Sequence, residues 1–229
     1  LVGSEICIRD SFPIDQLLLE PLSRNTAPAI LWSILRIPEV NKKIPVVVLA
    51  SDHLIKNLQR FDHALKIGEK LASLNYIVTF GIKPDRPETG YGYIKAETPF
   101  SSDKVVGKNI LEFTEKPDLK TAKNFLKDKC FTWNSGIFMF KAKSFLNEIK
   151  KFSNETFEAC SESINKSELD LDFQRIDKES FNKCPNASVD VAVMEKTRKG
   201  TVLPLDVGWS DIGSWQAIWE TSNKDANQN

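Results

Sequence analysis

Residues 44–50, Ile-Pro-Val-Val-Val-Leu-Ala ("IPVVVLA"), form a short, continuous run rich in β-branched side chains. Such a run is what a strand buried on both faces needs. A helical pattern follows, with Leu54, Leu58, Phe61, Leu65 and Ala72 near one face and Lys56, Arg60 and Lys66 largely away from it. "YIVTFGI" (residues 76–82) then reads as a second buried strand. Strand, helix and strand with short links predict a βαβ unit, hence an α/β fold whose parallel sheet is flanked by helices.

Outward from that unit, further strands are expected at "YGYIKAE" (91–97), "ILEFTE" (110–115), "GIFMFKA" (136–142), "SVDVAV" (188–193) and "GTVLPLD" (200–206). Helices are expected over residues 26–37, 119–128, 143–152 and 155–165. The polar stretch 161–172 reads as a surface helix or a mobile loop, and the tail 221–229 as frayed or as the approach to a further segment. With no repeat, low-complexity tract or linker, one domain over residues 1–229 is expected.

The 229 residues carry 31 basic and 31 acidic side chains. A balanced charge gives no global field toward nucleic acid or a membrane surface, so neither is expected as a partner, and an anionic ligand must be held by local groups. Cys7, Cys130, Cys160 and Cys184 are scattered without a C-x-x-C pair, and only two histidines accompany them. That argues against a zinc site and for reduced thiols in a cytoplasm. No apolar run approaches the roughly 20 residues that cross a bilayer. "LVGSEICIRD" at the start lacks the layout of a signal peptide, so the sequons at Asn154, Asn165 and Asn186 are read as chance.

Ligands of open α/β sheets sit beyond the carboxyl ends of the strands. Directly after the first run come Ser51, Asp52 and His53. Asp52 is placed either to cap the following helix or to hold a hard cation such as Mg²⁺; His53 is read as a helix-start or supporting residue. "RPETGYGYIK" (86–95) brings Pro87, Gly90, Gly92 and two tyrosines before a strand. It is a loop that presents backbone amides to a polar ligand, or the lead-in to an edge strand; no P-loop or G-x-G-x-x-G motif exists. In "FTEKP" (113–117), Glu115 suits sugar hydroxyls and Lys116 a phosphate, although such pairs are also common on solvated faces. Asn134 and Ser135 in "TWNSGIFMF" (132–140) suit sugar hydroxyls or a turn. "LLLEPLSRNTAPAI" (17–30) sets Glu20, Arg24, Asn25 and Thr26 at a helix start, as caps or as a base-recognition loop. "GWSDIGSW" (208–215) sets Asp211 between two glycines and two tryptophans, either as a turn into a helix capped by Ser210 or Asp211 or as a site.

Taken together, "EPLSRNTAPAI", "ASDHLI", "TFGIKPDRPETGYGYIK", "FTEKPDLKTAKNFL", "WNSGIFMFK", "VDVAVMEKT" and "LDVGWSDIGSW" resemble the mannose-1-phosphate guanylyltransferases, in order and spacing, over about residues 17–220. The similarity is to the bacterial type that often carries a phosphomannose isomerase-like domain. It implies a Rossmann-like nucleotidyltransferase fold with a mixed, mostly parallel sheet. It implies a reaction in which GTP and mannose 1-phosphate give GDP-mannose and pyrophosphate with Mg²⁺. By the same resemblance Asp52 and Asp211 bind the metal and, with Lys116, are the catalytic set. Glu115 and Lys116 touch sugar and phosphate, Gly92 and Asn134 line the sugar pocket, and Glu20, Arg24, Asn25 and Thr26 form the base loop. Gly208 and Gly213 give access to Asp211, Trp209 and Trp215 fix its turn, and the full-length protein is a candidate homo-oligomer.

The sequence departs from the family in lacking a G-G-x-G-x-R-L-W-P-L-S-R signature, in "ASDH" for the usual "PADH", and in stopping before a C-terminal β-helical region. This chain alone is therefore expected to be weakly active or inactive. The competing readings are a transferase of another sugar or base, and a regulatory subunit that keeps the sugar pocket without catalysis.

Overall fold

The computed structural model describes residues 17–100, 105–171, 173–212 and 218–219. Its strands are β1 (Leu17–Leu19), β2 (Pro45–Val48), β3 (Leu54–Ile55), β4 (Ile77–Ile82), β5 (Tyr93–Ala96), β6 (Lys108–Thr114), β7 (Phe131–Lys141), β8 (Glu168–Asp170), β9 (Phe173–Arg175), β10 (Gly200–Leu205) and β11 (Trp209–Ser210). The helices are α1 (Thr26–Leu35), α2 (Leu58–Ser73), α3 (Leu119–Phe125), α4 (Ala142–Phe152), α5 (Asn154–Asn165) and α6 (Lys178–Asn182).

The central sheet has the order β2-β7-β4-β10-β6-β5, and its middle strands are apolar on both sides. On β7, Ile137 and Met139 face one apolar cluster while Phe138 and Phe140 face the other. The first cluster includes Ala64 and Ala72 of α2; the second includes Trp32 of α1, Phe145 and Ile149 of α4 and Cys160 of α5. Helices thus cover both faces of a mixed sheet, the α/β architecture expected. Each fully buried large side chain, such as Trp32 or Phe140, adds about 1.5–3 kcal/mol of apolar transfer. Trp32 also donates its indole N–H to Ser163 Oγ at 3.1 Å.

Several expectations are corrected. The sheet is not mostly parallel: β4 and β10 run parallel, while β2–β7, β4–β7, β10–β6, β5–β6 and β5–β7 are antiparallel. β2 and β4 share a direction, as a βαβ crossover requires, but β7 lies between them. Local patterning reports crossover geometry and cannot show that a distant strand is inserted. β2 is also not buried on both faces, since Ile44, Val47 and Leu49 around it are 57%, 37% and 55% exposed. It ends the order of the described strands, so its β-branched run reports strand propensity rather than depth. β5 is no edge strand, because it pairs with both β6 and β7. "SVDVAV" is no strand: Asp190–Met194 form a π-helical turn. The stretch 161–172 completes α5 and then enters β8. Cys7, Gly213, Trp215 and the tail 221–229 lie outside the described residues.

Candidate active site

The pairing of β4 with β7 slips where the sequence reads Trp-Asn-Ser-Gly. Thr79 faces Phe138 and Gly81 faces Asn134, so β7 places more residues than β4 across the same span. Such a bulge re-aims side chains at the end of a sheet. Gly136 takes φ +71°, a left-handed conformation that favours glycine. Asn134 Oδ1 accepts from Gly136 N–H at 3.3 Å and from Thr79 Oγ1 at 2.9 Å, and Ser135 Oγ accepts from Ile137 N–H at 3.2 Å. Both polar side chains are thus used by the bulge itself. Asn134 N–H donates to Gly92 O at 2.8 Å, and Asn134 Nδ2 donates to Asp190 Oδ1 at 2.9 Å.

A Cβ at Gly92 would sit 2.7 Å from Glu115 Oε2, the mobile end of that side chain, and 3.3 Å from the Phe113 ring. The carboxylate of Glu115 thus lies against the Gly92 backbone. Half-burial raises its pKa, Lys116 lowers it and Glu195 raises it further. Lys116 Nζ is 3.8 Å from Glu115 Oε1 and its side chain is 65% exposed, leaving the ammonium at the open side. Its backbone holds φ +46°, a strained position for a lysine.

The two aspartates converge through a ribbon. β3 pairs antiparallel with β11, Trp209 against Ile55 and Ser210 against Leu54, which brings the residues just before β3 beside those just after β11. His53 senses both carboxylates: partial burial lowers its pKa, while Asp52 and Asp211 each raise it. Its Nδ1 accepts from Trp209 Nε1 at 3.3 Å. Asp211 Oδ1 accepts from the Tyr91 hydroxyl at 2.8 Å, and Ile212 beside it takes φ +45°, an outlier for a β-branched residue. Burial and then Asp211 raise the Tyr91 pKa, so its hydroxyl keeps its proton to donate. Gly208 takes φ +63°, as a glycine there permits. Asp52 does not cap α2; Asn57 does, accepting from Arg60 N–H at 3.0 Å. Ser210 Oγ accepts from Ile212 N–H at 3.3 Å.

Tyr91 joins the two groups. Its hydroxyl holds Asp211, its ring meets Trp133 and Trp209 edge-on at 5.3 and 5.6 Å, and the next residue is Gly92. Arg86 lies over one of those rings, 5.3 Å from the Trp133 centroid.

The helix-start residues pack rather than stand free. Asn25 caps α1 from φ +70°, its Oδ1 accepting from Thr26 N–H at 2.9 Å. Arg24 Nη2 donates to Asn182 O and Oδ1 at 2.9 and 3.2 Å. Thr26 Oγ1 accepts from Val189 N–H at 3.0 Å, so this loop touches the residue before Asp190. Glu20 lies beside Cys160 and Cys184, with a pKa raised by desolvation.

Sequence reasoning passed over Thr79, Tyr91 as a partner of Asp211, and Asp190. A threonine inside an apolar strand carried a usable signal; Asp190 was hidden by its misassigned strand. Two lysine-lined surface depressions, one beside Glu148 and one beside Asn75, share no residue with this group of side chains.

Residues 9–228 match the family model described as nucleotidyl transferase. The chain is 44% identical over 217 residues to the mannose-1-phosphate guanylyltransferase RfbM of Salmonella typhimurium, covering 94% of this chain and 45% of that protein. It thus spans about half the length of the curated relatives it matches. Among solved structures, one described as mannose-6-phosphate isomerase from Helicobacter pylori is similar at TM-score 0.76 and 34% identity, covering 84% of this chain and 74% of that one. Another, described as mannose-1-phosphate geranyltransferase from Thermus thermophilus, gives TM-score 0.75 and 29% identity, covering 91% and 58%.

Proposed function

The chain belongs to the nucleotidyl transferase family, and from that premise we propose that the protein carrying it makes GDP-mannose and pyrophosphate from GTP and mannose 1-phosphate. The observation that carries this reading is the junction at Tyr91–Gly92, where the Tyr91 hydroxyl holds Asp211 and the next residue, Gly92, lies against Glu115 and accepts from Asn134 N–H. The similarity to proteins named mannose-1-phosphate guanylyltransferase supports the substrate pair.

In this reading residues 1–229 are one nucleotidyltransferase domain working in a cytoplasm, and among the described residues no helix is long and apolar enough to cross a membrane. Glu115 and Asn134 orient the sugar through its hydroxyls, and Gly92 lets the ring approach the backbone. Lys116 neutralises phosphate charge as the sugar-phosphate oxygen attacks the α-phosphorus in line and pyrophosphate leaves. No covalent enzyme intermediate is needed, so positioning and charge neutralisation supply the rate. The loop of Glu20, Arg24, Asn25 and Thr26, held by Asn182, Val189 and the cap of α1, is the side of the site assigned to the base.

Asp52 and Asp211 fit Mg²⁺: both are hard oxygen donors, their fields meet at His53, and Tyr91 fixes one oxygen of Asp211. Among the described residues no cluster of three candidate ligands exists, so water and phosphate oxygens complete such a site, as is usual for Mg²⁺. When bound, the ion supplies charge stabilisation at the transferring phosphate.

The test is product analysis by mass spectrometry with the full-length protein, Mg²⁺, each of GTP, ATP, UTP and dTTP, and either mannose 1-phosphate or mannose 6-phosphate. GDP-mannose from GTP and mannose 1-phosphate is expected. Isomerisation of mannose 6-phosphate without nucleotide transfer, or transfer to another sugar phosphate alone, would overturn it.

A further inference from the structure

Asp190 opens the π-helical turn Asp190–Met194, and π-helical segments recur at functional sites because they re-aim one side chain. Its carboxylate is directed at one group of the sugar pocket, accepting from Asn134 Nδ2 at 2.9 Å. The orientation of that amide is determined by its other end: Gly136 N–H can only donate, so Asn134 Oδ1 faces it, with Thr79 Oγ1 donating to the same oxygen. Nδ2 must then face Asp190. One of its two N–H groups is taken there, which leaves the amide one further donor.

Resting on the function proposed above, we propose that Asp190 is a positioning residue of the sugar subsite, locking Asn134 so that its remaining N–H meets a sugar hydroxyl. The contact spans 56 residues of sequence, so it ties β7 to the π-helical turn rather than stabilising a local loop. Glu115 lies close enough to raise the Asp190 pKa, which sets a second carboxylate behind the one that faces the sugar. Val189, the preceding residue, donates to Thr26, so the same turn abuts the base loop without its carboxylate touching it.

Asparagine at position 190 can still accept from Asn134 through its own Oδ1, whereas alanine leaves that N–H without its partner. Loss of such a partner corresponds to about ten-fold or more in KM for mannose 1-phosphate. The experiment is steady-state kinetics of the full-length wild type, Asp190→Ala and Asp190→Asn, with thermal melts and ligand-observed NMR of mannose 1-phosphate binding in parallel. The expected result is a raised sugar-phosphate KM and weakened binding in Asp190→Ala only, with KM for GTP within about three-fold. Asp190→Asn should restore most of the sugar affinity. Equal affinity in all three, or equal losses for sugar and GTP in proportion to a fallen Tm, would overturn the positioning role. The NMR arm decides this even where turnover is absent; a wild type that binds no mannose 1-phosphate would overturn the proposed function as well.

Discussion

At Gly92 a hydrogen atom in place of a methyl leaves space for the Glu115 carboxylate, which the proposed function assigns to the sugar. A Cβ 2.7 Å from Glu115 Oε2 is closer than real contacts allow, so Gly92→Ala must push the Glu115 carboxylate aside. The expected outcome is a rise of about ten-fold or more in KM for the sugar phosphate with a smaller change for GTP, read by steady-state kinetics. An unchanged KM would mean that Glu115 has no part in holding sugar. Asp190 makes a different prediction. Burial and then Glu115 raise its pKa from 3.8 to about 7, while Asn134 and Ser188 pull it down. A raised native pKa means the folded state binds the proton more tightly than the unfolded chain. Its contribution to stability is therefore full below pH 3.8 and is lost as pH climbs toward 7. Glu115, also raised, adds to the same slope; Lys116 acts against it through Glu115. Asp190→Asn should flatten that slope, gaining stability relative to wild type at pH 7.5 by at most about 4 kcal/mol. Urea melts at pH 4.5 and 7.5 measure it, and parallel slopes for the two proteins would contradict it.

At the scale of the element, the bulge in β7 sets where Asn134, assigned to the sugar in the proposed function, sits. Beside it, side chains of both neighbouring strands crowd Gly81, where a Cβ would lie 2.4 Å from Thr132 Oγ1 and 2.8 Å from Val202 Cγ2. Gly81→Ala would have to spread β4 from its two neighbours, at a cost of about 1–3 kcal/mol. A drop in urea midpoint with a parallel loss of sugar-phosphate affinity is the expected result; full stability would mean that the strands do not depend on this contact. The sequence made much of this level legible. Helix starts at Asn25 and Asp118, apolar runs at β4 and β10, and Trp-Asn-Ser-Gly before an apolar run were all readable from residue types. The bulge itself was not, because Asn, Ser and Gly serve a turn and a bulge equally. The π-helical turn was misread as a strand because Val-Asp-Val-Ala-Val alternates like one, and its packing against α4 is a long-range contact that local pattern does not report. Asp190 was lost with it.

Across the whole molecule, mixed sheet and helical layers do one thing for chemistry: they hold loops from distant parts of the chain at one end of the sheet. Asp52 follows β2, Glu115 follows β6, Asn134 interrupts β7 and Asp211 follows β11. Strand order decides which of them meet, and it is the property least visible in sequence, since β7 enters between β2 and β4 although it follows both by a long stretch of chain. Resemblance to a family supplied the grouping that periodicity could not; Tyr91 supplies the physical link.

The measurement that bears most directly on the central claim is Mg²⁺-dependent pyrophosphate release from GTP and mannose 1-phosphate by the full-length wild type and by Asp211→Asn. Asparagine keeps an oxygen for Tyr91 and removes the charge, so folding should persist while release falls by about a hundred-fold or more. Wild-type rates in the folded variant would contradict the account, because the carboxylate that Tyr91 holds would then have no part in the transfer.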